Sequence, residues 1–148
     1  MDNIFGDAAE RLFAQTCTPD VIRRAEQGQR PAEAWQACED AGFGDALVPQ
    51  ADGGAGLDLA EALPIVLAAG RHLCPYPIAH TLLARAWLSR ARRPQATGSI
   101  ALAPQGLAID GGRLRGANVP WARTADYILA EAGGQAWLLP TQAACVRP

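Results

Sequence analysis

The sequence predicts an α+β chain in which an amino-terminal all-α helical bundle is followed by a small antiparallel β-domain. Three observations carry this. Up to residue 91, apolar residues recur three and four apart between recognisable helix caps. A polar, proline-bearing stretch then follows, R-A-R-R-P-Q-A-T-G over Arg90–Gly98, with the composition of a linker. Beyond it, short apolar runs flank Gly111-Gly112 and Gly133-Gly134, the pattern of hairpins rather than of alternating β-α units. The expected division is a helical domain over 1–93 and a β-domain over 98–148.

The first helix is expected over residues 3–14, with Ile4, Phe5, Ala8, Ala9, Leu12 and Phe13 on one face and Asp7, Glu10 and Arg11 on the other. Thr18-Pro19-Asp20 is a strong helix start: a hydroxyl cap, a proline in the first turn, and an acid at the positive end of the dipole. That helix should end near Gly28. Arg30-Pro31 then opens a third helix, whose Trp35 and Cys38 should face the core and which Gly42 should end in the left-handed conformation, with Phe43 folding back.

Ala46 to Pro49 reads as a short extended piece, because a residue before proline avoids the helical region. Gly53, Gly54 and Gly56 then permit a tight turn. Asp58 with Glu61 has the spacing of a capping box for a fourth helix. Leu59, Leu63, Val66, Leu67 and Gly70 form its apolar stripe, and Pro64 predicts a kink or a start nearer Ala62. Pro75-Tyr76-Pro77 is a bend, and a fifth helix over 78–91 carries Ile78, Leu82, Leu83, Ala86 and Trp87. Strands are expected over 99–103, 107–110, 113–115, 126–132 and 136–139.

Composition narrows the function. Hydrophobic content of 49% and charge of 19% suit a globular protein, and the net charge of -2 with scattered arginines gives no basic stripe for nucleic acid. All thirteen basic residues are arginine, which excludes lysine chemistry within the chain. Cys17, Cys38, Cys74 and Cys145 lack metal or disulfide-framework spacing, so no metal site is expected and the thiols suit a reducing compartment. The acidic amino terminus is not a secretory signal, and the aliphatic runs are too short to span a bilayer, which points to a cytoplasmic protein without membrane contact. His72 and His80 have no nucleophile or carboxylate spaced to pair with them and read as helix-end or surface residues.

The ordered set Trp35, Glu39-Asp40-Ala41-Gly42-Phe43, Val48-Pro49-Gln50, Gly53-Gly54-Ala55-Gly56-Leu57 and a helix with an early glutamate resembles the amino-terminal helical domain of the acyl-CoA dehydrogenases. Leu114-Arg115-Gly116, Val119-Pro120-Trp121-Ala122 as an extended segment, Ala125-Asp126 and Ile128-Leu129 resemble that family's middle β-domain. The resemblance implies FAD as cofactor, an acyl-CoA thioester as substrate, and α,β-dehydrogenation in which a carboxylate takes the α-proton while the β-hydrogen leaves as hydride.

It places the flavin and acyl wall on Leu102, Ala103, Pro104, Gly106, Val119 and Trp121. Where the family often has Thr-Glu-Pro, this chain has Ala103-Pro104-Gln105 behind Leu102, without the hydroxyl and the acid. Where it often has an aromatic-Ile-Thr segment, this chain has Asn118-Val119-Pro120. The catalytic carboxylate belongs to a carboxy-terminal helical domain expected to be absent here, so no catalytic residue is assigned. Glu39, Glu61 and Glu131 read as a surface, a capping and a strand-end residue. The departures suit a divergent branch, such as paired subunits acting on sterol-derived thioesters. The implied assembly is a homo- or hetero-oligomer with another acyl-CoA dehydrogenase chain, either completing an enzyme or serving as a non-catalytic partner.

Overall fold

The computed structural model describes residues 4–104, 107–111, 113–116 and 118–143. Five helices come first: α1 (Ile4–Thr16), α2 (Pro19–Glu26), α3 (Ala32–Asp40), α4 (Leu59–Arg71) and α5 (Ile78–Arg90). Strands β1 (Ile100–Leu102), β2 (Ala108–Asp110), β3 (Arg113–Arg115), β4 (Tyr127–Ala132) and β5 (Gln135–Pro140) follow. The chain is thus α+β in the expected order.

The helix ends follow local chemistry. Thr18 caps α2, its hydroxyl accepting the Val21 amide at 3.3 Å. Gly42 takes φ +71° behind α3, and the buried Phe43 packs against Phe13 with ring centroids 6.1 Å apart. At α4 the capping box is complete: Asp58 accepts the Glu61 amide at 2.8 Å and Glu61 accepts the Asp58 amide at 2.9 Å. That box starts the helix at Leu59 rather than near Ala62. Pro64 is tolerated inside it because the carbonyl it leaves without a helical donor, that of Ala60, lies on the exposed side.

Burial divides the apolar residues of α4 and of α1. The stripe Leu59, Leu63, Leu67 does not enter the core; these residues are 68%, 52% and 53% exposed. The face of α4 that is buried carries Ala62, Ile65, Ala68 and Ala69, whose small side chains let α4 lie close against α1. Likewise, Ala9 and Phe13 bury the inner face of α1, while Ile4 and Phe5 at its start are exposed. The resulting core gathers Phe13, Trp35, Cys38, Phe43, Ile65 and Leu82, and each fully buried large side chain contributes about 1.5–3 kcal/mol.

The segment after α3 also differs from expectation. Ala46 is helical in conformation rather than extended, because the Phe43 and Asp45 carbonyls take the Ala46 and Val48 amides and form a tight turn. The chain then folds back on itself. Asp45 O accepts the Ala55 amide, Val48 O the Gly56 amide at 2.8 Å, and Ala46 O the Leu57 amide at 2.9 Å. Gly54 lies so close that a Cβ would sit 2.2 Å from the Val48 carbonyl oxygen. The glycines therefore serve the bend's own closure.

In the sheet, β4 and β5 form the expected antiparallel hairpin, turned by Gly133 and Gly134 at φ +59° and +74°. β2 and β3 form a second antiparallel pair. β1, however, joins β4 in parallel, Ile100 beside Tyr127 and Leu102 beside Leu129, so the three-stranded sheet is mixed. Residues 120–124 are a turn rather than extended, since the Trp121 carbonyl accepts the Thr124 and Ala125 amides.

Helix α5 lies between the two layers and is buried nearly all round. It adds Ala84 and Leu88 to a cluster with Ile100, Leu102, Tyr127, Leu129 and Leu138 on one sheet face. Ala101, Ala125, Ile128 and Ala130 pack on the other face with Ala103, Leu107, Val119 and Ala122. Leu83 and Trp87 of α5 remain about half exposed.

Candidate functional site at the end of β1

Two polar clasps hold the sheet to the helices and so fix where β1 ends. The first centres on Arg85, whose side chain is 3% exposed. Its guanidinium pairs with Glu39, reaches Asp45 at 3.0 Å and donates to the Gly98 carbonyl at 2.8 Å. Glu39 also accepts the Gly98 amide at 2.8 Å and the Trp35 indole at 3.1 Å. Glu39 is therefore a half-buried joint residue and not the surface residue expected. Burial raises its pKa, but the bonds from Arg85 and Gly98 outweigh this and hold its carboxyl below the usual range.

In the second clasp Asp126 accepts Arg30 at 2.7 Å on one oxygen, and the Ser99 amide and hydroxyl at 2.7 and 2.9 Å on the other. The Ala125-Asp126 pair noted in the sequence thus ties the start of β1 to the loop before α3.

Among the described residues β1 hydrogen-bonds a strand only on its β4 side, where Ala103 donates to the Leu129 carbonyl at 3.0 Å. Its alternate amides point to the open edge, and two side chains from the first turn of α5 satisfy them. Thr81 Oγ1 accepts the Ile100 amide at 2.9 Å, and His80 Nδ1 accepts the Leu102 amide at 3.2 Å. Burial pushes the His80 pKa down, and with Nδ1 acting as acceptor the neutral ring carries its proton on Nε2. His80 was legible in the sequence only as a helix-end residue. Nothing local marks its partner, which is 22 positions away.

The structure divides the wall residues nominated from the sequence. Ala103 and Val119 pack into one cluster, whereas Leu102 lies on the opposite sheet face, towards α5. Pro104 is exposed, Trp121 is 43% exposed with φ +65°, and Gly106 lies outside the described residues. The Ala103 amide and the Trp121 carbonyl are engaged within the fold and so are spent as ligand contacts.

As a test of fit to a flavin, what remains is split between the sheet faces: Leu102 and the ring N–H of His80 on the α5 side, and Ala103 and Val119, with the accessible indole of Trp121 two residues on, on the other. The α5 side offers a flat heteroaromatic ring one apolar side chain and one polar edge, and the other side offers it apolar contact alone. A separate cleft of 760 Å³ opens between α5 and the β4–β5 hairpin, lined by Trp87, Leu88, Arg93, Leu129, Trp137 and Leu138. None of the nominated wall residues lines it.

Other chemistry is sparse. Among the described residues no three His, Cys, Asp or Glu side chains gather to hold a metal, and no helix is long and apolar enough to cross a membrane. Cys17, Cys38 and Cys74 are free and buried; contact with the Cys74 thiol and then burial push the Cys17 pKa up, while at Cys74 the lowering by Cys17 is outweighed by the Cys38 contact and burial; Cys145 lies outside the described residues. His72 ends α4 as expected, yet does find a carboxylate, Glu10 of α1, at 2.9 Å.

A capped helical bundle with a glycine bend between α3 and α4, followed by a small sheet held against α5, defines an acyl-CoA dehydrogenase fold. The family model for the acyl-CoA dehydrogenase N-terminal domain matches residues 2–91, and the chain belongs to the acyl-CoA dehydrogenase family, whose members generally bind FAD. It is 35% identical over 127 residues to the acyl-CoA dehydrogenase IpdE2 of Mycobacterium tuberculosis, covering 84% of this chain and 40% of that protein. Two solved structures share the fold. The Tcur3481-Tcur3483 steroid ACAD matches with a TM-score of 0.67 at 24% identity, over 90% of this chain and 45% of that one. The ChsE4-ChsE5 complex from Mycobacterium tuberculosis matches with a TM-score of 0.66 at 23% identity, over 90% and 44%. The chain thus spans less than half the length of each.

Proposed function

We propose that the chain forms the helical and strand layers of a flavin-dependent acyl-CoA dehydrogenase acting on bulky, steroid-derived acyl thioesters, and that it works in the cytoplasm joined to a second acyl-CoA dehydrogenase chain. The observation that carries this reading is the end of β1, where an apolar wall and an accessible indole flank a strand held rigidly against α5. The relatives' names support the substrate class and the paired assembly. The free buried thiols suit a reducing compartment.

FAD, when bound, supplies the hydride acceptor for the β-hydrogen. The chain's own residues bind and orient: Val119 and Trp121 offer an apolar face, Leu102 and Ala103 exclude water from the strand end, and the clasps through Arg85 and Asp126 hold that end in place. The exposed leucines of α4 offer an apolar face to a second chain.

Co-expression with candidate acyl-CoA dehydrogenase chains, followed by turnover of a steroid-acid CoA thioester with an artificial electron acceptor, tests the reading. Activity of the pair that either chain alone lacks is the expected result, and inactivity with every candidate counts against it. A second reading, a non-catalytic partner that keeps the fold, is favoured by the missing hydroxyl and acid around Ala103-Pro104. It predicts a stable, active pair whose turnover is untouched by Val119→Gly and Trp121→Gly.

A further inference from the structure

The ring of His80 is more than a cover for the open edge of β1. Its Nδ1 is committed to the Leu102 amide at 3.2 Å, which leaves the proton on Nε2. Nε2 has no partner among the described residues, and the ring is partly exposed. It is attached where the strand runs into Ala103-Pro104, the segment whose own side chains offer no hydrogen-bond donor. The neighbouring edge position is closed by Thr81, whose hydroxyl both accepts the Ile100 amide and donates to the Pro77 carbonyl at 2.9 Å, so it has nothing to spare. A histidine does at Leu102 what the hydroxyl does at Ile100, but it keeps one N–H in reserve.

We propose that His80 supplies, from α5, the hydrogen-bond donor that the Leu102-Ala103-Pro104 segment lacks, giving its Nε2–H to an uncharged carbonyl oxygen of the ligand bound at the end of β1. This rests on the proposed flavin-dependent function. Two sources offer that chemistry, a ring carbonyl of the flavin and the thioester carbonyl of the acyl group. The neutral ring suits either, because donation to an uncharged oxygen needs no imidazolium. The Leu102 anchor fixes the plane of the ring, so the donor is held in place before the ligand arrives.

The test uses two substitutions in the chain assembled with its partner. His80→Asn places an amide oxygen near the Nδ1 position, keeping the Leu102 bond while losing the reach of Nε2. His80→Gln keeps the reach and a donor. Affinities for FAD and for a steroid-acid CoA thioester are measured separately. His80→Asn should weaken one of them about tenfold, the worth of one hydrogen bond, with the thermal midpoint held, and His80→Gln should restore most of it. Loss for FAD identifies the flavin carbonyl, and loss for the thioester alone identifies the acyl carbonyl.

Unchanged affinity for both ligands in His80→Asn overturns the proposal and leaves His80 as an edge cover. A wild-type assembly that binds neither ligand overturns the proposed function and this role with it. Independently of any variant, the nitrogen NMR shifts of His80 in the wild-type chain should show a neutral Nε2–H ring at pH 7; an Nδ1–H ring or an imidazolium there overturns the proposal.

Discussion

Arg85 of α5 and Glu39 of α3 form a half-buried ion pair that also grips both the amide and the carbonyl of Gly98, the residue that leads into β1. The helices and the sheet are thereby joined through two side chains and one glycine. Removing one partner leaves the other charge buried. Glu39→Gln should cost about 3 kcal/mol in chemical denaturation, and Arg85→Gln a similar amount. A loss below about 0.5 kcal/mol for both would show that the pair is solvated and does not join the layers.

The glycine bend gives two substitutions with different causes. At Gly54 an added Cβ meets the Val48 and Asp45 carbonyl oxygens at 2.2 and 2.6 Å, so Gly54→Ala forces the bend open and should cost about 1–3 kcal/mol. At Gly53 nothing lies within 4 Å, but φ is +92°, so Gly53→Ala bears only backbone strain, about 1 kcal/mol. Thermal denaturation should rank the two in that order, and the reverse order would contradict the packing of the bend.

Acidification should weaken the fold in two stages. The folded state holds His80 below its ordinary 6.5, so the unfolded chain binds more protons and stability falls as the pH drops through that value. Glu39 is held below its ordinary 4.5, and its contribution is lost as the pH falls further through the folded value. At the alkaline end, burial raises Tyr76 to about 12, so its contribution is present at neutral pH and is lost above the ordinary value of 10. Urea midpoints measured across this range test the pattern; His80→Asn should remove the first stage and leave the second.

How much of this could be read from the sequence depended on distance along the chain. The caps at Thr18, Gly42 and Asp58 were legible because their partners lie within a few residues. The glycine-pair hairpins were legible for the same reason. The burial of Glu39 was not, because Arg85 and Gly98 lie 46 and 59 positions away. Nor was the parallel pairing of β1 with β4, which depends on the turn at 120–124 and on contacts with α5. On α4 the large leucines marked an apolar face that the fold leaves open, while the alanines beside Ile65 marked the one it buries. Periodicity gives both faces equal standing, and close packing against α1 selects the smaller residues. At the candidate site, the apolar wall was nominated from the resemblance, whereas His80 emerged only from the fold.

The open leucine face leads to a prediction of its own. Leu59→Gln, Leu63→Gln and Leu67→Gln together should change stability by less than about 0.5 kcal/mol each, because the side chains already face solvent. They should nevertheless convert an associated wild type into a smaller species in light scattering. A wild-type chain that is a monodisperse monomer, alone and with every candidate partner, would contradict the role given to this face.

The most direct test of the central claim is the visible absorption spectrum of the chain purified together with a second acyl-CoA dehydrogenase chain. The flavin band should be present at a fixed ratio to the complex and should weaken when Trp121→Gly is introduced into this chain. A complex that stays colourless with added FAD for every partner tried, or one whose flavin band ignores Trp121→Gly, Val119→Gly and His80→Asn alike, would contradict the assignment of a flavin wall to the end of β1.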